Sequence, residues 1–219
     1  GACDANCYSY DKAAPKTYPG ALKSMNLIVS KQRLAPSIVR LEIEAPLIAR
    51  KRRAGQFIIL RVSENGERIP ITIAGADPEK GTITLVIQEV GKTTMEAGAL
   101  EPGDHLQDVA GPLGKPTHIE SWGRVMCVAG GVGAAVILPI ALAVKAAGNE
   151  VDVILGARSQ DLIVLEHELA ESSDRLWVTT DDGSKGEKGL VLGPLERMLE
   201  EGNVALVMAA GPVPMMRAV

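Results

Sequence analysis

The hydrophobic pattern of this chain changes period near residue 120, and that change limits the fold more than any other feature of the sequence. Before it, apolar residues come in short runs separated by Ala-Pro, Ala-Gly, Glu-Asn-Gly, Asp-Pro and Glu-Pro-Gly-Asp. Such runs read as strands closed by turns, and they predict strands over 26–34, 37–45, 56–62, 68–74, 82–90 and 105–110. Six short strands at this spacing suggest a small antiparallel barrel. One segment, GKTTMEAGALEPGD (91–104), differs: it carries helical residues between two glycine turns. After residue 123 the rhythm is different. Apolar runs at 124–129, 151–155, 175–180 and 204–209 look like fully buried parallel strands. Between them lie helical stretches at 133–147, 160–172 and 194–201. In the second of these, Leu162, Leu165 and Leu169 recur at helical spacing, with acids on the other face. Alternating strand and helix predicts an open α/β sheet. The expected organisation is an N-terminal extension over 1–24, a β barrel over 25–120 and an α/β domain over 121–219.

The extension stands apart by composition. It holds all three tyrosines and two of the three cysteines, Cys3 and Cys7, without apolar periodicity. It reads as poorly ordered or foreign to the natural chain. The remaining cysteine, Cys127, lies in an apolar run and reads as an inert core residue. Cys3 and Cys7 read as a disulfide or as half a metal site, since two cysteines alone make neither a zinc nor an iron–sulfur site. With no secretory signal, a reducing, cytoplasmic setting is expected. The 219 residues carry a net charge of −4, which argues against a nucleic-acid binder. One basic run, Arg50-Lys51-Arg52-Arg53, is either a solvated turn or a docking patch for phosphate or an acidic partner. Residues Val125–Val144 form an uncharged span long enough to cross a bilayer. Gly130, Gly131, Gly133 and Pro139 within it instead favour a buried strand, a glycine turn and a packed helix, so no membrane span is expected.

Two kinds of motif point to nucleotides. The first strand of the second half ends in AGGVGAA, where Gly130, Gly131 and Gly133 let a ligand approach the backbone at a helix start. Free N–H groups and partial positive charge there suit a phosphate. The G-x-G-x-x-G fingerprint is incomplete, since Val136 takes the last glycine's place, and LGARS follows the second strand where an acid is usual. A plain Rossmann dehydrogenase is therefore disfavoured. GARS (156–159), TTDDGS (179–184) and AAGPVP (209–214) also follow predicted strands, so four small or polar turns share one predicted sheet edge. Arg158 reads equally as a partner for a ribose phosphate, favouring NADP, or as a solvated cap. In the barrel half, EVGKTT (89–94) leads from a strand into the helical segment; it suits a pyrophosphate held by Gly91, Lys92, Thr93 and Thr94, or simply a helix cap. The stretch ERIPITIAG (67–75) poses a further question. Pro70 cannot donate a ladder hydrogen bond, so it belongs at an edge, a strand end or a bulge.

Taken in order, GERIPITIAGAD, QEVGKTT, GPLGKP, ILGARS, VTTDDGS and GPVPMMRAV resemble the ferredoxin–NADP reductase superfamily over most of residues 25–219. They are most similar to the small subunits of sulfide dehydrogenase / NADH-dependent ferredoxin–NADP oxidoreductase and to the electron-transfer subunit of dihydroorotate dehydrogenase. The resemblance implies an antiparallel, Greek-key-like FAD-binding barrel followed by a parallel-sheet NAD(P)-binding domain. By it, Arg68, Ile69, Pro70, Ile71 and Thr72 border the flavin, with Thr72 as the catalytic candidate beside the reactive ring edge. Gly91, Lys92, Thr93 and Thr94 hold the FAD pyrophosphate, with Ile87 and Glu89 on the strand leading to them. Gly130, Gly131 and Gly133 serve the nicotinamide nucleotide, and Arg158, Asp181, Asp182 and Gly211 border its cleft.

There are departures from the family pattern. Arg68 stands one place earlier than the usual arginine, Ile69 taking that position. Ile71 replaces a stacking tyrosine, Ala210 a common cysteine, and Ala135-Val136 a common Ala-Pro. Relatives continue past the GPxPMM motif into a cysteine cluster binding [2Fe–2S], whereas this sequence stops at Val219 and has too few cysteines for four thiolates. The implied function is that of a flavoprotein subunit passing a hydride from NAD(P)H to FAD, then electrons to an iron–sulfur centre in a larger catalytic subunit. A stand-alone reductase for a ferredoxin or oxygenase, and a non-catalytic docking scaffold, are the rival readings. Hydride transfer needs no side-chain acid or base, so His105, His118 and His167 are expected to be structural or surface residues.

Overall fold

The computed structural model describes residues 26–219, so the extension expected at 1–24 lies outside the described residues. Strands β1 (Ile28–Ala35) and β2 (Ile38–Glu44) form a hairpin, followed by the short helix α1 (Pro46–Lys51). Strands β3 (Phe57–Arg61), β4 (Ile69–Asp77) and β5 (Thr82–Gln88) form a meander, then come helix α2 (Lys92–Ala99) and strand β6 (Asp108–Leu113). They build one antiparallel sheet in the order β1-β2-β5-β4-β3-β6, in which β5 returns to lie beside β2 as in a Greek key. The sheet curls shut where Ile28 N–H donates to Asp104 O at 2.8 Å and Leu106 N–H donates to Asn26 O at 3.0 Å. Alternate β-branched and leucine side chains, among them Val39, Leu41, Ile43, Ile58, Leu60, Ile83 and Leu85, fill the interior. This is the period-2 pattern of a sheet with one buried face.

Strand β7 (Arg124–Gly130) begins the second half. A 3-10 turn (Gly131–Gly133) leads into helix α3 (Ala134–Ala146), followed by β8 (Glu150–Ala157), α4 (Glu166–Glu171), β9 (Arg175–Thr180) and β10 (Glu187–Lys188). Helix α5 (Leu192–Glu200), strand β11 (Val204–Ala210) and helix α6 (Val213–Ala218) complete it. All its strand pairs are parallel, in the order β10-β9-β8-β7-β11. The chain steps outward from β7 through β10 and then crosses back to β11, so the order reverses between β7 and β11.

The structure corrects several expectations. Residues 160–172 are not one helix: a 3-10 turn at Gln160–Leu162 gives way to extended backbone at Ile163, and Leu165 takes φ +58 before α4 begins. A helix cannot run through a left-handed residue; Val164 and Leu165 are buried outside any helix, so apolar spacing from two segments mimicked one. The last barrel strand lies at 108–113, not 105–110, and β1 starts at Ile28. Helix α1 was not foreseen. Pro46 in its first turn fixes φ for helix entry, and Ile48 and Ala49 bury against the barrel end.

Helix α3 explains the long uncharged run. It needs little polar surface because Ala134, Ala135, Ile137, Leu138, Ala141 and Val144 pack into one cluster with β7 and β8 on one side and barrel residues Ile38, Ala74 and Val86 on the other; only Leu142 and the last turn, with Lys145, reach solvent. Among the described residues no helix is long and apolar enough to cross a membrane. An ion pair across the seam, Arg40 Nη1 to Glu168 Oε1 at 2.8 Å, adds a polar tie between β2 and α4.

At the far end of the parallel sheet, Asp152 is fully buried between two arginines. Its Oδ2 accepts from Arg124 Nε and Arg175 Nη2, each at 2.8 Å, and its Oδ1 accepts from Arg175 Nε at 2.8 Å. Glu201 caps the group from the end of α5. Hydrogen bonding to Asp152 raises the proton affinity of both guanidinium groups. Removing one member leaves a buried, uncompensated charge. Asp152→Ala is therefore expected to lower stability by about 3 kcal/mol in urea unfolding, and Asp152→Asn by less, since it keeps the shape and part of the hydrogen bonding.

Candidate functional site

A cleft of about 850 Å³ opens at the seam of the two halves. Its barrel wall is made by a divergence of strands. β4 and β5 pair from Ile73, opposite Leu85, to Asp77, opposite Thr82, and then separate. The freed edges, Pro70–Thr72 and Val86–Gln88, line the cleft together with Thr94 of α2.

This geometry accounts for Pro70. Opposed residues of an antiparallel pair alternate between hydrogen-bonded and non-hydrogen-bonded rungs. Ile73 N–H donates to Gln56 O at 3.1 Å, so with Thr72 opposite Phe57 and Pro70 opposite Ile59, residues 70 and 72 occupy the non-bonded rungs toward β3. The nitrogen of Pro70 therefore points toward the open edge, where β4 has no partner strand and a missing donor costs nothing.

The opposite wall is the carboxyl edge of the parallel sheet, centred on the reversal between β7 and β11. Open α/β sheets bind ligands at such a point. Gly130–Gly133 at the end of β7, Gly156–Arg158 at the end of β8, Thr179 and Asp181 around the end of β9, and Gly211–Pro212 after β11 all line it. The turn is glycine-rich for two separate reasons. A Cβ on Gly133 would lie 2.2 Å from Ala210 O, so glycine there lets the start of α3 close onto β11. Gly131 instead has φ +54, and a Cβ on it would meet nothing within 4 Å, so its bare backbone faces open space.

Arg158 and Asp181 are the ionisable side chains lining the cleft among the described residues, and its walls are otherwise largely apolar. At the barrel end, α2 offers a helix N-terminus with no acid in its first turn. Thr94 Oγ1 accepts from Val90 N–H at 3.1 Å and Gly91 N–H at 3.0 Å and donates to Gly91 O at 2.9 Å. A Cβ on Gly91 would meet nothing within 4 Å, so a ligand has room to approach the helix start.

Of the residues singled out from sequence, Pro70, Ile71, Thr72, Ile87, Thr94, Gly130, Gly131, Gly133, Arg158, Asp181 and Gly211 converge on the cleft. The others do not line it. Arg68 is exposed and turned along the sheet to Asp108, with Nη2 to Oδ2 at 3.0 Å. Ile69 packs against the barrel core. Glu89 pairs with Arg33 at 2.7 Å, and that hydrogen bond holds its carboxyl below the usual range. Lys92 projects into solvent, Thr93 is buried beneath α2, and Gly91 stands at the rim. Asp182 Oδ1 accepts from Ser184 Oγ at 2.6 Å, which lowers the carboxyl's pKa. Sequence reasoning missed Ile38, Val86, Gln88, Leu162, Leu190–Leu192 and Met215. Gln88 and Met215 lie in the QEVGKTT and GPVPMMRAV stretches, but neither they nor the others carry a charge or a glycine turn that would single them out.

Among the described residues no group of His, Cys, Asp and Glu could hold a metal ion. Cys127 is wholly buried, its thiol pushed up to about 12 by burial. The described residues thus do not fit an iron–sulfur cluster, which needs accessible thiolates.

A six-stranded antiparallel barrel joined by its rim to a parallel sheet, with a nucleotide-sized cleft between them, defines a two-domain oxidoreductase of the ferredoxin–NADP reductase type. The family described as "Oxidoreductase NAD-binding domain" matches residues 127–219. The chain is 43% identical over 194 residues to a dihydroorotate dehydrogenase B (NAD(+)) electron transfer subunit homolog of Thermotoga maritima, covering 89% of this chain and 68% of that protein. It is 35% identical over 179 residues to a probable dihydroorotate dehydrogenase B electron transfer subunit of Methanopyrus kandleri, covering 82% and 65%. The chain thus spans about two thirds of the length of these relatives. A solved structure of an NADH-dependent reduced ferredoxin–NADP oxidoreductase, studied for flavin-based electron bifurcation, superposes with a TM-score of 0.85 at 40% identity, over 92% of this chain and 72% of that one. The ferredoxin reductase of carbazole 1,9a-dioxygenase, at 20% identity and a TM-score of 0.70, shares the fold over 88% of this chain and 62% of that one. The chain belongs to the family of dihydroorotate dehydrogenase B electron-transfer subunits and their homologues.

The two glycines make a paired test. Gly133→Ala forces backbone apart and is expected to cost about 1–3 kcal/mol, read by thermal unfolding. Gly131→Ala meets no steric wall and costs about 1 kcal/mol through its positive φ. Equal losses would show that contact with Ala210 is not what requires glycine at 133.

Proposed function

We propose that this chain is the electron-transfer subunit of a flavoprotein oxidoreductase, taking a hydride from NAD(P)H onto FAD held at the barrel rim. One observation carries the reading: the open edge of β4 and β5 and the reversal point of the parallel sheet face the same cleft. The family relationship supports it. The cleft fits FAD on its own chemistry, with aliphatic walls, a strand edge free of a partner and an anion-competent start of α2. Bound there, FAD would supply a two-electron acceptor that can release electrons singly.

The roles of the chain follow from its geometry. Pro70, Ile71 and Ile87 give the flavin an aliphatic wall in place of an aromatic stack. Thr72 contributes the one hydroxyl on the β4 edge of the cleft and would offer a bound flavin a hydrogen bond there. The N–H groups at the start of α2 hold the pyrophosphate, with Thr94 fixing the turn before them. Across the cleft, Gly131 would admit a dinucleotide to the start of α3, and Arg158 and Asp181 are the charged groups there that could meet it. No proton transfer by a side chain is required.

A larger redox partner belongs to this reading. The description of the relatives as electron-transfer subunits supports it, and so do Val90 and Met95, 75% and 60% exposed beside the cleft's α2 end. A reducing, cytoplasmic setting goes with it. Onward electrons leave for a redox centre outside the described residues.

Titration of the purified chain with FAD is expected to yield a flavin absorbance near one equivalent, bleached by NADH or NADPH. A protein that stays colourless with added FAD would sink the proposal and leave the docking scaffold. Thr72→Val is expected to retain FAD and lower NAD(P)H-dependent ferricyanide reduction about tenfold, the value of one hydrogen bond lost in the transition state. Co-purification with a second redox subunit separates an electron-transfer subunit from a stand-alone reductase.

A further inference from the structure

A second cleft, of about 690 Å³, lies further along α3, beyond the stretch that meets the first. It too spans the seam. Arg52 and Arg53 come from the segment before β3, Lys115 and Thr117 from the segment after β6, and Pro139 and Leu142 from α3. No carboxylate is among its lining residues, in a chain whose net charge is −4; the nearest acid on that rim is Glu120, whose Oε1 is 2.8 Å from Nε2 of the lining residue His118.

The cations in it are unspent. Arg52, Arg53 and Lys115 make no ion pair among the described residues; Arg53 is tied only through its backbone, its N–H donating to Gln56 Oε1 at 2.8 Å and its carbonyl accepting from Gln56 N–H at 3.3 Å. Arg50 and Lys51 sit in the last turn of α1, where they complement the helix carbonyls, but Arg52 and Arg53 lie beyond that turn. Arg52 is partly buried, and burial without a counter-charge lowers its proton affinity. A partly desolvated guanidinium with no partner favours any anion that can reach it. The opposite wall is apolar, with Leu142 exposed on α3 beside Pro139 and Ile119. The cleft thus offers cations at one side, an apolar surface at the other, and the volume of a small-molecule site.

We propose that this cleft is a binding site for a phosphorylated anion of nucleotide size, its phosphates held by Arg52, Arg53 and Lys115. Because the walls belong to both halves, the bound anion clamps the barrel against α3. Its binding is independent of whether flavin occupies the first cleft. An acidic protein partner is the rival occupant, but a concave site with an apolar back wall suits a compact ligand better than a protein surface.

Inorganic pyrophosphate and ADP, titrated by calorimetry and thermal unfolding into the full chain with the first cleft saturated by excess FAD and NAD(+), are the probes. Saturable binding that raises the melting temperature is expected. Arg52→Ala with Arg53→Ala should weaken it about tenfold or more, and Lys115→Ala, on an exposed loop, by a smaller factor. Arg52→Lys with Arg53→Lys keeps the charge and should retain part of the affinity, which controls for misfolding. Arg158→Ala, in the first cleft, should leave pyrophosphate binding unchanged. The proposal is overturned if the wild-type chain shows no saturable binding, or if the arginine variants bind as well as wild type. It also falls if Arg158→Ala alone abolishes binding. An acidic protein retained by wild type and lost from the arginine variants, with no pyrophosphate binding, would overturn it too and assign the surface to that partner instead.

Discussion

Helix α3 is the part on which the rest of the molecule depends. It is apolar over most of its surface because it is sandwiched between the parallel sheet and the barrel, leaving only Leu142 and its last turn exposed. That packing is what joins the two halves, and hydrophobic burial on both faces is strong enough to hold a seam. The same helix begins at the glycine turn after β7, so the contact that fixes the domains also fixes the nucleotide-facing edge. Gly133 links the two: its missing Cβ allows the start of α3 to sit against Ala210 at the end of β11. Each end of this seam carries a cleft, one against the glycine turn and one against the basic segment before β3.

On the barrel side the decisive constraint is parity along β4. A strand that pairs on both sides uses every N–H, and proline is excluded. Where β5 turns away, alternate N–H groups of β4 lose their partners, and Pro70 falls on one of those positions. Proline there removes a donor that would otherwise point into an apolar cleft. The edge stays open to the cleft without inviting another strand, since an unpaired strand edge is a template for pairing.

The chemistry-bearing residues were less legible than the elements. Glycine turns at the ends of β7, β8 and β11 could be read as one edge because strand–helix alternation forces parallel strands, whose carboxyl ends must lie together. Arg68, Glu89 and Asp182 carry the right chemistry in the right motifs, yet each is engaged by a neighbour: Asp108, Arg33 and Ser184. Two of these partners are 40 and 56 residues away in sequence, and only the strand order brings them together. Helix α1 has six residues, too few to show a 3.6-residue period. The false helix at 160–172 had that period, but drew its leucines from segments separated by a left-handed residue.

The order of residues alone dictates the two architectures, the point where one gives way to the other, and the glycine-lined edge, because hydrophobic period and backbone-permissive residues are local properties. It also dictates the lack of an acid after β8 and of an aromatic at Ile71. Folding in three dimensions settled which strand edge stays open, which charged groups are free to meet a ligand, and that Arg52, Arg53 and Lys115 share one hollow. Those outcomes depend on which distant segments become neighbours, and electrostatic and hydrogen-bond partners act only over a few ångströms.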